Sequence, residues 1–359
     1  MKQLTVALVE FGGSHDECIL TQLEALHSVN APVILVTNAQ LYNRNPQWHE
    51  LLKDVYFIEP TGKALKDVGL MRRLVKYLKQ NGVSKVVFNT AQGGHVRNLS
   101  FLLPKSIPAY GVIHTIRKFQ GSFTQKVINR KIKRYVVLSD DLLSHVAVPK
   151  GISLSSFYPV SFPNFHQKAE KPVGEHWITI TGGVENRRKD LDAVIGFIQT
   201  TGPEIHFVFL GKTDTNHPDA QAFLKTVETL GLTERVRYFT DFVDHAVFDA
   251  YLQQTDFLLP LIHPNTPSAD EYINHQISGA FTIAFGYKIP LLIHEAYRTE
   301  HDLTISAAFY QPSTFMEGLK IAFSLHEHIR QQIEQEEKWT KPYQYRNYLR
   351  FLEMSLVSS

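Results

Sequence analysis

The chain has 359 residues, a length that points to about two domains instead of one core. With 43% hydrophobic and 20% charged residues it reads as a soluble globular protein, and a net charge of +2 makes no demand for a nucleic-acid partner. Its one cysteine, Cys18, excludes an intramolecular disulfide and a cysteine-cluster metal site, and is expected to be a small buried side chain at a helix start.

In chain order, residues 5–9 read as a strand, 17–29 as a helix and 32–37 as a second strand. A short strand at 55–58 precedes a helix over 69–81, where Leu70, Leu74 and Leu78 share one face. Further strands are predicted at 85–89 (KVVFN), 109–114 (AYGVIH) and 134–139 (RYVVLS). Six strands with intervening helices make one doubly wound domain, assigned to residues 1–160. The opening segment is a strand pattern and not a secretion signal, and no run approaches the roughly 20 apolar residues that span a bilayer. A cytoplasmic protein is expected. Peripheral contact with the inner face of a membrane stays compatible with the pattern, because the basic stretch at 126–134 (KVINRKIKR) suits either acidic headgroups or an ordinary solvated helix.

Gly12-Gly13-Ser14-His15 lies where the first strand gives way to the first helix. His15 there is placed to orient an acceptor or act as a general base, or simply to cap the helix. His95, in the loop after the fourth strand, and His114, at the end of the fifth, are placed to line the same opening. No spacing such as HExxH marks a metal site among the seventeen histidines.

Residues 151–174 lose periodicity, gather Pro, Ser and Gly, and read as a linker. The second domain, 174–340, repeats the alternation. Apolar runs at 177–183 (WITITGG), 207–212 (FVFLGK), 236–244, 255–264 and 278–290 (SGAFTIAFGYKIP) each end in Gly, Asp, Pro or a basic residue, the last leading into a strand at 289–293. A parallel sheet reads this way when its strand ends open onto a ligand crevice. After Gln311 helices are predicted at 313–324 and 325–338, and a last segment at 343–356.

Gly182-Gly183 follows the first of these strands, with Arg187, Arg188 and Lys189 expected to begin the next helix. Glycines admit close backbone approach, and cations at a helix start favour phosphate. Lys212 ends the next strand and faces the same edge. Ser278-Gly279-Ala280 forms a small-residue helix start suited to phosphate oxygens. Glu271 and Tyr272 stand in a Pro/Ser-rich loop, where a carboxylate can accept from ribose or sugar hydroxyls. For each, the plainer alternative is a solvated turn, an ordinary cap or a surface acid. His263, between Pro260 and Pro264, reads as loop packing.

These residues together resemble the nucleotide-sugar glycosyltransferases of the GT-B fold, nearest to the glycosyltransferase group 1 family. TGGVENRRKDLDAVIGF resembles that family's strand–glycine–basic–helix element. VRYFTDFVDHAVFDAYLQQTDFLLPL resembles the run leading to its donor loop, and PSADEY with AFGYKIPLLI resembles the loop's two flanks. The resemblance implies two Rossmann-like doubly wound α/β domains facing across a cleft, with a helix in 341–359 crossing back to the first domain. It implies transfer of a sugar from a nucleoside diphosphate sugar to a glycan or lipid-linked acceptor, as in surface polysaccharide or glycoconjugate synthesis, with no metal required. Arg187 or Arg188 and Lys212 match phosphate-holding positions. Glu271 matches the first of two glutamates eight apart, and His15 lies on the first-strand loop, whose Gly12 and Gly13 approach the donor. His114 resembles a histidine that often closes the fifth strand. The second glutamate position is Gly279. That departure motivates a non-catalytic sugar or nucleotide-sugar binder as an alternative, and a nucleotide-sugar epimerase is a third.

Overall fold

The computed structural model describes residues 4–63, 66–119, 121–160 and 169–354. They form two compact units. The first comprises 1–160, 275–277 and 340–359, and the second comprises 161–274 and 278–339.

In the first unit the chain runs through β1 (Thr5–Val9), α1 (Glu17–His27), β2 (Val33–Thr37) and β3 (Asp54–Phe57). It continues through α2 (Val68–Gln80), β4 (Val83–Phe88), α3 (Gly94–Leu102), β5 (Ala109–Ile113), α4 (Phe123–Lys131), β6 (Arg134–Val137) and β7 (Ser153–Ser156). All seven strands are parallel, in the order β3-β2-β1-β4-β5-β6-β7. Strands such as VILVT are buried end to end because helices cover both faces. On one face α2 docks Met71, Leu74, Val75 and Leu78, its i, i+3, i+4, i+7 stripe, beside Val96 and Leu99 of α3 and Ile128 of α4. The strand β7 corrects the reading of 151–174 as linker: its SLSS has no apolar signal, yet it pairs with β6 along the sheet edge. Residues 161–168 of that stretch lie outside the described residues.

The second unit repeats the scheme with β8 (His176–Thr181), α5 (Leu191–Thr200), β9 (Ile205–Lys212), α6 (Pro218–Thr229), β10 (Val236–Phe239) and α7 (His245–Gln254). Then follow β11 (Phe257–Leu258), α8 (Gly279–Tyr287), β12 (Leu291–His294), β13 (Ala307–Tyr310) and α9 (Phe315–Gln335). Its order is β10-β9-β8-β11-β12-β13, again all parallel. Two expectations are corrected here. The segment AAFY is a sixth strand that periodicity passed over, and the two helices predicted at 313–338 are one helix, α9.

After Trp339 the chain rejoins the first unit as α10 (Lys341–Phe351). Tyr348, Leu349 and Leu352 are fully buried against α1 and the second face of the first sheet, with Cys18, Leu23 and Leu26. The described part of the segment predicted at 343–356 thus packs on the first unit, and residues 355–356 lie outside the described residues.

Candidate functional site

In each sheet the chain works outward from the first strand in one direction, then crosses to its other side. The switch points fall between β1 and β4 and between β8 and β11. Turns leaving the carboxyl ends of such neighbouring strands diverge and open a crevice.

In the second unit, Gly182 has φ +84°, a conformation that favours glycine. A Cβ on Gly211 would lie 2.8 Å from the Gly182 Cα, so the ends of β8 and β9 touch through backbone alone. The Lys212 carbonyl oxygen is 3.8 Å from where a Gly183 side chain would begin. Lys189 reaches back under this turn, its Nζ 3.6 Å from the Cβ position of Gly182. Its side chain is buried and forms no ion pair among the described residues. Burial, with the Arg188 charge beside it, pushes its ammonium down to about 8.

The basic cluster was expected to open the helix. It lies instead in the turn before α5, and Asp190 is the cap, accepting from the Ala193 N–H at 3.0 Å. The same carboxylate accepts from His263 Nδ1 at 2.9 Å and Asn265 Nδ2 at 3.0 Å. The His263 hydrogen bond is the largest cause holding Asp190 down to about 2. With Nδ1 protonated toward Asp190, His263 Nε2 accepts the Tyr310 hydroxyl at 2.7 Å. His263 is therefore no passive loop residue: it ties the turn after β8 to the loop after β11 and to β13. Two main-chain bonds reinforce the tie, Asp190 N to Leu261 O at 2.9 Å and Ser268 N to Arg187 O at 3.1 Å. Leu261 adopts φ +59°, a strained conformation for a leucine that brings its carbonyl to this bond.

Glu271 and Tyr272 lie on the short helix Ala269–Asn274, one turn beyond Ser268, and not in an open loop. Ser278 caps α8 through the Ala280 N–H, and Gly279 beside it is exposed with open space around it. The structure thus brings Gly182, Gly183, Lys189 and Lys212 together and joins the Arg187 main chain to the start of the Glu271 helix. Arg188 is half-exposed with Glu185 3.9 Å away. Ser278, Gly279 and Ala280 follow β11, so parallel topology puts them on the same carboxyl edge.

At the switch point of the first unit stands a buried carboxyl, Glu10. It accepts from Gly12 N (2.6 Å), Asn89 Nδ2 (2.8 Å) and Thr90 Oγ1 (2.6 Å). Burial raises its pKa, and those three hydrogen bonds pull it partly back. A Cβ on Gly12 would meet the Glu10 carboxylate at 2.9 Å, whereas Gly13 has open space around it. His15 has φ +67°, and its carbonyl accepts from Asn89 Nδ2 at 3.0 Å. Its ring stacks on His114 with centroids 3.8 Å apart. Burial by itself lowers the His15 pKa, but Glu17 at 3.5 Å, helped by Glu10 and Asp16, leaves it raised overall. His114 is pushed down to about 3 by burial and by the His15 charge, so it stays neutral and donates Nε2–H to the Asn89 carbonyl at 2.6 Å. His95 is engaged by Asp67 at 2.8 Å.

The polar network continues inward. Gln22 Nε2 donates to Asn89 Oδ1 at 2.7 Å, and Gln22 Oε1 accepts from the Tyr348 hydroxyl of α10 at 2.9 Å. Sequence reasoning missed Glu10, Gln22, Asn89, Thr90 and Tyr348. For Glu10, Asn89 and Thr90 the available signal was a polar residue ending an otherwise apolar buried strand, as in TVALVE and VVFNT; Gln22 and Tyr348 lie on helices, where that signal does not apply. Among the described residues no three His, Cys, Asp or Glu side chains converge to hold a metal ion, and no helix is long and apolar enough to cross a membrane.

No family model and no curated protein matches the sequence. Solved structures do match the fold. A glycosyltransferase from Rickettsia africae superposes with a TM-score of 0.70 at 12% identity, over 99% of this chain and 100% of that one. Anabaena Alr3699/HepE in complex with UDP gives 0.67 at 13% identity, over 98% and 99%. A Listeria monocytogenes protein assigned as a UDP-N-acetylglucosamine 2-epimerase gives 0.62 at 11% identity, over 99% and 98%. Two parallel sheets with the same switch in strand order, matched end to end by these structures, give the chain the GT-B fold of two Rossmann-like α/β units.

Proposed function

We propose that the protein is a glycosyltransferase that takes a sugar from a nucleoside diphosphate sugar, with the donor on the second unit. One observation carries this reading. The glycine turn that leaves β8 at the edge of the switch point meets Gly211 at the end of β9 backbone to backbone, with buried Lys189, unpaired among the described residues, beneath it and Lys212 beside it. A diphosphate offers the negative charge that this arrangement lacks. Catalysis then consists chiefly of stabilising the departing diphosphate, by Lys189, Lys212, Arg187 or Arg188 and the amides at Ser278–Ala280. The reading asks for no metal ion. Glu271 takes the ribose or sugar hydroxyls, with Tyr272 shaping the pocket, and Gly279 leaves space where a second carboxylate would reach.

The acceptor, a glycan or lipid-linked glycan, falls to the first unit, as in surface polysaccharide or glycoconjugate assembly. If the reaction inverts, His15 removes the acceptor proton; if it retains, His15 positions sugar groups beside Gly12 and Gly13. The Anabaena protein was captured with UDP, with UDP and glucose, and with UDP-glucose, which supports a uridine donor here.

A nucleotide-sugar epimerase is the second reading, favoured by the Glu10, His15 and His114 cluster and by the Listeria likeness. Melting-temperature shifts with UDP, GDP, ADP and CMP identify the base. Turnover of the matching nucleotide sugars, with and without glycan acceptors, then separates the readings. Transfer requires acceptor, epimerisation proceeds without one, and a binder shows the shift and no turnover. Absence of a shift with all four nucleotides would sink the donor site.

A further inference from the structure

From Val68 to Ser139 the sequence has fourteen Lys and Arg residues and not one Asp or Glu. A chain with a net charge of only +2 thus concentrates its positive charge in one span, and all thirty-five acids lie elsewhere. The fold lays three helices of this span out as a layer, while Lys85 and Arg134 turn to Leu352 and Glu353. Helices α2, α3 and α4 cover the same face of the first sheet, α2 packing on α3 and α3 on α4.

Helical spacing assigns the outward stripes. On α2 they are Arg72, Lys76 and Lys79, with Arg73 beside them, all exposed. On α3 they are Arg97 and Phe101, and on α4 Phe123, Lys126 and Arg130. None of Arg72, Arg73, Lys76, Lys79, Lys126 and Arg130 forms an ion pair among the described residues. The nearest acids in sequence are occupied: Asp67 by His95, and Asp140 by the Ser156 hydroxyl. Phe101 and Phe123 are 81% and 77% exposed, on two helices that touch. A phenylalanine at each of two outward stripes, among cations, is unfavourable in water and gains on both counts at an anionic lipid surface.

We propose that the α2–α3–α4 face is a docking surface for an anionic membrane, with Phe101 and Phe123 inserting at the headgroup level and the lysines and arginines held over acidic lipids. The surface needs nothing of the donor site, so it stands whether or not the transferase reading does. Its stripes lie on a layer of three helices with two exposed phenylalanines that headgroup-level insertion would bury, which favours a bilayer over a nucleic acid.

The test is co-sedimentation of the full chain with phosphatidylcholine vesicles, with and without about 30 mol% phosphatidylglycerol. Binding is expected only with the anionic lipid, and is lost in roughly 0.5 M salt. The R72Q/R73Q/K76Q variant should weaken vesicle binding at least about tenfold through lost charge. The F101S/F123S variant should weaken it about as much while keeping the salt dependence. The melting temperature and the UDP-induced shift of both variants should match the parent, which separates docking from folding and from the donor reading. Equal binding to neutral vesicles overturns the proposal, as does no binding to either. So does capture of an RNA oligonucleotide with no vesicle binding, or parent-like binding by both variants.

Discussion

Lys189 is the residue on which the donor site turns. Its ammonium sits at about 8 because the protein around it is a poor solvent for charge, and a bound diphosphate would restore the charged form. Donor affinity should therefore fall as pH rises through about 8, where the empty site loses its proton, and a donor KM measured from pH 6.5 to 9.5 should climb. Lys189→Met should abolish that climb and lower kcat by roughly two orders of magnitude, the usual scale for one electrostatic contact. Lys212→Ala should cost about as much, with the pH dependence retained. A pH-independent donor KM in the parent removes the role given to Lys189. Lys189 stands in the basic cluster that the sequence displays, but which of three adjacent cations turns inward depends on the length of the turn before α5, and no periodicity encodes that. Arg187, Arg188 and Lys189 look equivalent in one dimension.

Asp190 is the companion case. Its pKa of about 2 lies below the unfolded value, so its contribution is present above pH 4 and lost as pH falls from about 4 toward 2. Asp190→Asn should cost about 2 kcal/mol at neutral pH, seen as a lower melting temperature. The gap between variant and parent should close in the acid range. An unchanged gap at pH 2.5 counts against the His263–Asp190 tie.

At the scale of elements, the contact of β8 with β9 is set by two glycines. Gly211→Ala would drive a methyl into the Gly182 backbone, which cannot yield without moving the turn above Lys189. Loss of the nucleotide-induced melting shift is expected, with stability reduced by about 1–3 kcal/mol. Retained donor binding would mean that the two turns are not in contact. The long buried strands were legible because a run such as VILVT has few alternatives. β7 and β13 were not, since four-residue edge strands of SLSS and AAFY carry too little apolar pattern to separate them from loop. Glu271 was likewise placed in a loop because a helix of six residues, preceded by Pro264 and Pro267, has no recurrent stripe to reveal it.

For the whole molecule, parallel strands alternating with helices were readable throughout, and the repeated strand order follows from right-handed crossovers. The cluster of Glu10, Asn89, His15 and His114 was not, because its members come from positions 10 to 114 and meet only once β1, β4 and β5 are neighbours. The discontinuity of the first unit has a bearing on biosynthesis. Everything needed for its sheet has left the ribosome by residue 160, yet the face that α1 covers only in part stays incomplete until α10 follows, after the entire second unit. Tyr348, Leu349, Phe351 and Leu352 together bury side chains worth on the order of 8 kcal/mol, comparable with the net stability of a domain. A chain ending at Thr340 should accordingly be recovered aggregated or chaperone-bound, and a synthetic peptide of 341–354 supplied in trans should restore solubility; a soluble, cooperatively melting truncation would contradict this. Nascent chains would thus wait, half clothed, for their last helix.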